Sequence, residues 1–251
     1  MHDSRMLDPA IIDEFTQSPP FELSETDRAV LRAPQEDFPL HTWEEMKAII
    51  GEHYSFEYIE QTDHSAGRDM SLLRRTPLDL FNYIRWTLEA QRQDGSVLEF
   101  IIKNRLPWEP ECHESGTVFP YSNPTPFTDP SDFCIRRNDW PYAMEEGMVH
   151  LVAWSKTPIA TDDHGDPSPA SCKAIADFIE RMFSEHVKRG KYAGDNLQWF
   201  RNRTKWQSVR SLDHIHLVLR DVNETFVTRI TGQGSGDITC KAYPWNIFAD
   251  I

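Results

Sequence analysis

The chain has 251 residues, an apolar fraction of 39% with eight Trp and fourteen Phe, and a net charge of −14. That much apolar and aromatic mass builds a substantial core and excludes wholesale disorder. The acidic balance speaks against general nucleic-acid or anionic-membrane binding.

No stretch approaches the roughly 20 apolar residues of a membrane span, and "MHDSRMLDPAIIDEF" contains no apolar run of the kind a secretory leader carries. Cys112, Cys134, Cys172 and Cys240 are scattered without a CxxC pair, which fits a reducing compartment. The expected location is cytoplasmic or nucleocytoplasmic.

Residues 1–70 read as an acidic, Pro-punctuated arm with short helices at about 24–32 and 42–51. Residues 71–251 read as one α+β domain. Its first part is a helical hairpin over 76–106. Thr76 is placed to cap the first helix, Pro77 stands at its first position, Leu80, Phe81, Ile84 and Leu88 recur at helical spacing, and Asp94-Gly95 breaks it. "SVLEFIIKNR" gives the second helix, which stops before Pro107. A Pro-rich, aromatic-bearing stretch over 107–132 reads as an ordered wrapping loop.

The core spans 133–232, with a C-terminal extension over 233–251. "FCIRRNDWPY" is a short strand ending in a turn, and "GMVHLVAWSK" is a second strand. "SPASCKAIADFIERMFSEHVKRG" is an amphipathic helix with Ile175, Phe178, Ile179, Met182 and Phe183 on one stripe and Gly190 past its end. "DHIHLVLR" is a third strand, and "ETFVTRITG" is expected to be a fourth. The order strand, strand, long helix, loop, strand, strand predicts an antiparallel sheet with one long packed helix.

The His-x-His pair in 213–220 carries the chemical signal. Alternation puts Ile215, Leu217 and Leu219 on one face and His214, His216 and Val218 on the other. Side-by-side imidazoles serve as metal ligands, as a structural pair or as a catalytic pair. A metal site needs further ligands, such as Cys112, His113 or His150, whose spacing specifies nothing, so no metal or cofactor is expected. Residues 188–210 carry seven basic side chains against one acid, a net of +6 where the remainder is −20. Such an island beside two histidines is either a solvated loop or the seat of a small anionic metabolite or nucleotide. His150 is expected to pack or to orient a neighbour.

The blocks "SLLRRTPLDLFNYIRWTLEAQRQDGSVLEFIIKNRLPW", "DFCIRRNDWPYAMEEGMVHLVAWSK", "WFRNRTKWQSV" and "DHIHLVL" resemble the fungal N-acetylglucosamine-induced protein family, over roughly residues 70–222. More remotely, Asn138 to Pro141, a strand carrying His150, the helix over 169–189 and the His214/His216 strand resemble the histidine-triad superfamily of nucleotidyl hydrolases and transferases.

The second resemblance implies a histidine-triad-like core with a helical N-terminal elaboration. It also implies His216 as nucleophile with His214 beside it, Asn138 as a sugar contact, and Ser208 as the upstream serine. Trp140, Tyr142, Asn202 and the basic Lys156, Arg201, Arg203 and Lys205 complete the candidate substrate-binding set. Two departures stand out: Val218 occupies the third triad position, and Ser208 lies six residues before His214.

Three functions are open at this stage. One is a hydrolase or transferase at phosphorus acting on a phosphorylated or nucleotide-linked, amino-sugar-related molecule. Another is a non-catalytic sensor of such a ligand. The third is an acid/base enzyme on an unphosphorylated metabolite. Monomer and homodimer both fit.

Overall fold

The computed structural model describes residues 21–51, 70–113, 116–187, 196–202, 209 and 211–234, together with 12, 13, 17 and 19. The described helices begin at capping residues. Ser24 and Thr42 form capping boxes at α1 (Glu25–Leu31) and α2 (Trp43–Ile50), each hydroxyl accepting from the backbone N–H three residues on. Thr76 caps α3 (Pro77–Asp94) by accepting from the Asp79 N–H, and Gly95 ends it in the left-handed region at φ 85°. Ser96 caps α4 (Val97–Asn104), so the predicted hairpin is present.

Within the Pro-rich stretch, β1 (Glu111–His113) pairs with β2 (Gly116–Val118), a small hairpin that periodicity does not reveal. The loop that follows is anchored on Asp132, whose side chain is 1% exposed. Its carboxylate accepts backbone N–H groups from Ser122 at 2.8 Å and Asn123 at 2.8 Å, and Lys156 Nζ lies 3.8 Å away. Asp132→Ala removes the shared acceptor of those N–H groups and is expected to cost about 1–2 kcal/mol in chemical denaturation; no measurable loss would show that the loop holds itself.

The main sheet is antiparallel, in the order β3 (Phe133–Arg137), β4 (Met148–Ser155), β6 (Asp213–Arg220), β5 (Leu197–Phe200). α5 (Pro169–Phe183), capped by Ser168, and α6 (Glu224–Thr231) lie over one face. There Ile175, Phe178, Phe183, Phe226 and Val227 pack against Leu151, Ala153, Ile215, Leu217 and Leu219. Burying this apolar face stabilises the fold at about 25 cal/mol per Å² removed from water.

The opposite face takes α3 and α4 over Cys134, Val152 and Trp154, and α2 over Phe200 and Val218. The helical elaboration therefore covers the histidine face of the sheet. No helix among the described residues is long and apolar enough to cross a membrane.

Two expectations are corrected. "ETFVTRITG" is helix α6, not a strand. Its β-branched content favours a strand locally, but Asn223 caps it by accepting from the Thr225 N–H, and Gly232 ends it at φ 68°. Phe226 and Val227 then face the core. The fourth strand is instead β5, inside the stretch read as a basic loop; it pairs with β6 through Trp199↔Leu217 and Phe200↔His216. The long helix also stops at Phe183, earlier than the predicted 189; Gly190 lies outside the described residues.

Candidate functional site

The alternation predicted for β6 holds, and register supplies its partners. In the β4–β6 ladder, Val152 lies opposite His216, Trp154 opposite His214 and His150 opposite Val218, so these six share one face. β5 brings Phe200 opposite His216. A third histidine thus arrives from the neighbouring strand, directly across from the position where β6 carries Val218.

The three imidazoles are buried, at 4% (His150), 5% (His214) and 8% (His216) exposure. His150 Nε2 lies 3.0 Å from His216 Nδ1. His216 Nε2 lies 3.3 Å from the Asn202 side-chain nitrogen. At the other end, the Asn138 side-chain nitrogen is 3.2 Å from His150 Nε2 and 3.3 Å from Nδ1. The Asn138 side-chain Oδ1 accepts from the Trp140 backbone N–H at 2.9 Å, which fixes the amide so that its N–H₂ side faces His150.

The polar sequence along this face is Asn138, His150, His216, Asn202. Aromatic rings hold it flat: Tyr142 stacks on His150 with centroids 5.3 Å apart, and Phe200 stacks on His216 at 4.7 Å and 9°. His214 stands apart from the relay. Its Nδ1–H donates to the Leu212 carbonyl at 3.0 Å, its ring packs on Trp154 at 4.6 Å, and its edge meets His216 at 5.5 Å.

Burial holds all three rings neutral. It drives His150 down to about 3, with the nearby Arg75 charge adding to the effect. Burial likewise lowers His216 well below its ordinary value, helped by the two neighbouring histidines and Arg75. His214 is lowered by burial against the opposing pull of its bond to Leu212. One proton is then shared between His150 and His216. On His216 Nδ1 it leaves Nε2 as a lone pair, able to attack or accept. On His150 Nε2 it leaves the His216 proton on Nε2, able to donate.

Arg75, just before the α3 cap, lies beside the pair. Its guanidinium carbon sits 4.1 Å from the Tyr83 ring centroid and 5.3 Å from that of Tyr142, and its Nε donates to the Trp140 carbonyl at 3.1 Å. Tyr142 is half-buried; burial pushes its phenol up, while Arg75 and a hydrogen bond with the Asn202 side chain pull the other way.

Of the residues expected at the site, His214, His216, Asn138, Tyr142 and Asn202 come together. Trp140 packs inward as core against Tyr83 and Trp86, with its indole N–H unpartnered among the described residues. Arg201 is committed elsewhere: it pairs with Asp213 at 2.7 Å, donates to the Gly165 carbonyl at 3.3 Å, and is 7% exposed at the side chain. Lys156 lies with Trp108 and Asp132 in a cleft beside β3, not with the histidines. Arg203, Lys205 and Ser208 lie outside the described residues.

His150, expected to pack or to orient a neighbour, lies against His216, and Arg75, which was not among the expected residues, lies near the pair. Counting along β4 from the "NDWPY" turn was the available signal for the first; nothing local marked the second. Among the described residues, no group of three or more His, Cys, Asp or Glu is disposed to hold a metal ion.

The fold is an α+β protein whose antiparallel sheet carries a buried histidine cluster under a helical cover. Residues 55–220 match the family described as "Protein of unknown function (DUF3605)", and the chain belongs to that family. It is similar to N-acetylglucosamine-induced protein 1 of Candida albicans, 33% identical over 155 residues, which are 57% of this chain and 59% of that protein. It is also similar to an uncharacterized protein of Saccharomyces cerevisiae, 32% identical over 93 residues, 37% of this chain and 46% of that one. The chain thus spans about half the length of the curated relatives it matches. The solved structure of HTC1 aligns at 23% identity over 77% of this chain and 96% of that one, with a TM-score of 0.49.

Proposed function

We propose that the protein is an enzyme acting at phosphorus on a small phosphorylated or nucleotide-linked metabolite, with His216 as the nucleophile. The observation that carries this reading is the His150 Nε2–His216 Nδ1 contact at 3.0 Å between two neutral, buried rings. It gives His216 an oriented Nε2 lone pair directed toward Asn202 on the half-buried side of the cluster. In the forward step Nε2 attacks phosphorus and the leaving oxygen departs; water or a second acceptor then takes the phosphoryl or nucleotidyl group from the imidazole.

His150 supports the part that a third polar residue on β6 would play, since it stands across from Val218. The chain order of Asn138, His150 and the His214/His216 strand supports the histidine-triad-like reading of the core. His150 is a positioning residue here, and His216 the one that meets substrate.

A second reading rests on one specific observation. Arg201 and Lys156, expected to neutralise a phosphate, are engaged by Asp213 and Asp132. That favours acid/base chemistry on an unphosphorylated metabolite by the same pair.

Phosphorus NMR with nucleotide sugars, amino-sugar phosphates and dinucleotides separates these readings. New phosphorus signals are expected with the native protein, and a loss of at least about a hundredfold in rate with His216→Ala. Signals that persist unchanged in His216→Ala would refute the assignment. Absence of turnover across the panel would leave the acid/base reading to be tested with unphosphorylated substrates.

A further inference from the structure

Several half-buried or buried arginines of this protein are neutralised by carboxylates. Arg105 pairs with Asp139 at 2.8 Å, Arg201 with Asp213 at 2.7 Å, and Arg137 with Glu224. Arg75 differs. Among the described residues no carboxylate lies within 4.0 Å of it, and its one hydrogen bond runs from Nε to the Trp140 carbonyl. That bond and the ring of Tyr83 beneath the guanidinium fix its plane. The two terminal nitrogens remain as a paired donor fork, the geometry that suits phosphate and carboxylate oxygens. A fixed cation with no carboxylate partner among the described residues, beside neutral histidines, is a site of positive potential.

Its neighbours complete the picture. Tyr142, within 5.3 Å of the guanidinium, is half-buried and hydrogen-bonds with the half-buried Asn202, whose side chain also meets His216. Arg75 thus neighbours Tyr142, which stacks on His150 and bonds to the Asn202 that meets His216 Nε2, and all three are half-buried while the imidazoles are buried.

We propose that Arg75, with the Tyr142 hydroxyl and the Asn202 amide, holds the oxyanion of the metabolite on which His216 acts. This rests on the reading of His216 as the reactive group and assigns the anion to "RRTP" instead of the basic loop. The shared chemistry is a phosphate or a carboxylate.

The test is side-chain nitrogen NMR of His216 and His150, titrated separately with inorganic phosphate and with acetate at constant ionic strength in chloride. At least one anion is expected to shift the His216 ring signals saturably. Phosphate alone points to a phosphoryl substrate and acetate alone to a carboxylate. Arg75→Gln is expected to weaken that binding about tenfold or more, and Lys156→Gln to leave it unchanged. If Arg75→Gln does not fold, Arg75→Lys keeps the charge without the fork, and binding about threefold or more weaker is expected.

No shift by either anion with the native protein overturns the proposal, as does native-level binding by the Arg75 variant or lost binding in Lys156→Gln. The two readings fail separately. Anion binding at Arg75 without any His216-dependent turnover sinks the enzymatic reading alone. His216-dependent turnover with binding indifferent to Arg75 sinks this one alone.

Discussion

Stability is expected to fall steeply as pH drops below about 6.5, and the histidine cluster is the cause. Burial lowers His150 from 6.5 to about 3 and lowers His214 and His216 as well. The sign follows from linkage. Between the folded and unfolded pKa values the unfolded chain binds protons that the native cluster refuses, so unfolding becomes easier as pH falls. The contribution is fully present above the ordinary histidine value near 6.5. For His150 it is lost progressively down to about 3.

His150 alone adds roughly 1.4 kcal/mol per pH unit between its two values, and His214 and His216 add to the slope in the same direction. The measurement is the denaturant midpoint of unfolding between pH 7.5 and 5. His150→Phe, which keeps a ring against Tyr142, is expected to reduce the slope by about one proton. A midpoint that does not move between pH 7.5 and 5 would mean that the rings are solvated and titrate normally.

The second large effect concerns Asp213, the first residue of β6. Its Oδ1 accepts from Arg201 at 2.7 Å and its Oδ2 accepts the Ile159 backbone N–H at 3.0 Å. Asp213→Ala leaves the Arg201 guanidinium buried without its partner, and a buried charge stripped of its partner typically costs about 3–5 kcal/mol. Arg201 Nε already lacks a hydrogen-bond partner among the described residues, so the site has little with which to compensate. The double replacement Arg201→Met with Asp213→Leu removes both charges and is expected to cost much less than Asp213→Ala alone. Denaturation of the three variants decides. If Asp213→Ala costs under about 1 kcal/mol, Arg201 finds another partner or reaches water, and it returns as a candidate for binding anionic substrate.

What was legible in the chain was local. Thr76, Pro77 and Asp94-Gly95 mark both ends of α3 because capping and left-handed turns need those residue types. The facing of His214 and His216 followed from alternation alone. The misread element, α6, has a β-branched interior whose helical state is decided by Asn223, Gly232 and packing on Phe183. β5 is only four residues long and exists because Trp199 and Phe200 pair with β6; no local pattern carries that.

The candidate site shows the same division. The contact of His150 with His216 depends on the register between two strands, across a sequence separation of 66 residues. The pairing of Arg201 with Asp213 also depends on tertiary placement, which counting charges along the chain does not reveal.

The central claim is that His216 is a neutral imidazole oriented by His150. Side-chain nitrogen NMR of both rings at pH 6, with no ligand present, tests it most directly. The account predicts neutral rings with one proton shared between His150 Nε2 and His216 Nδ1, and His150→Phe shifting the His216 tautomer signals. Imidazolium signals for His216 at pH 6, or His216 signals indifferent to the loss of His150, would contradict it.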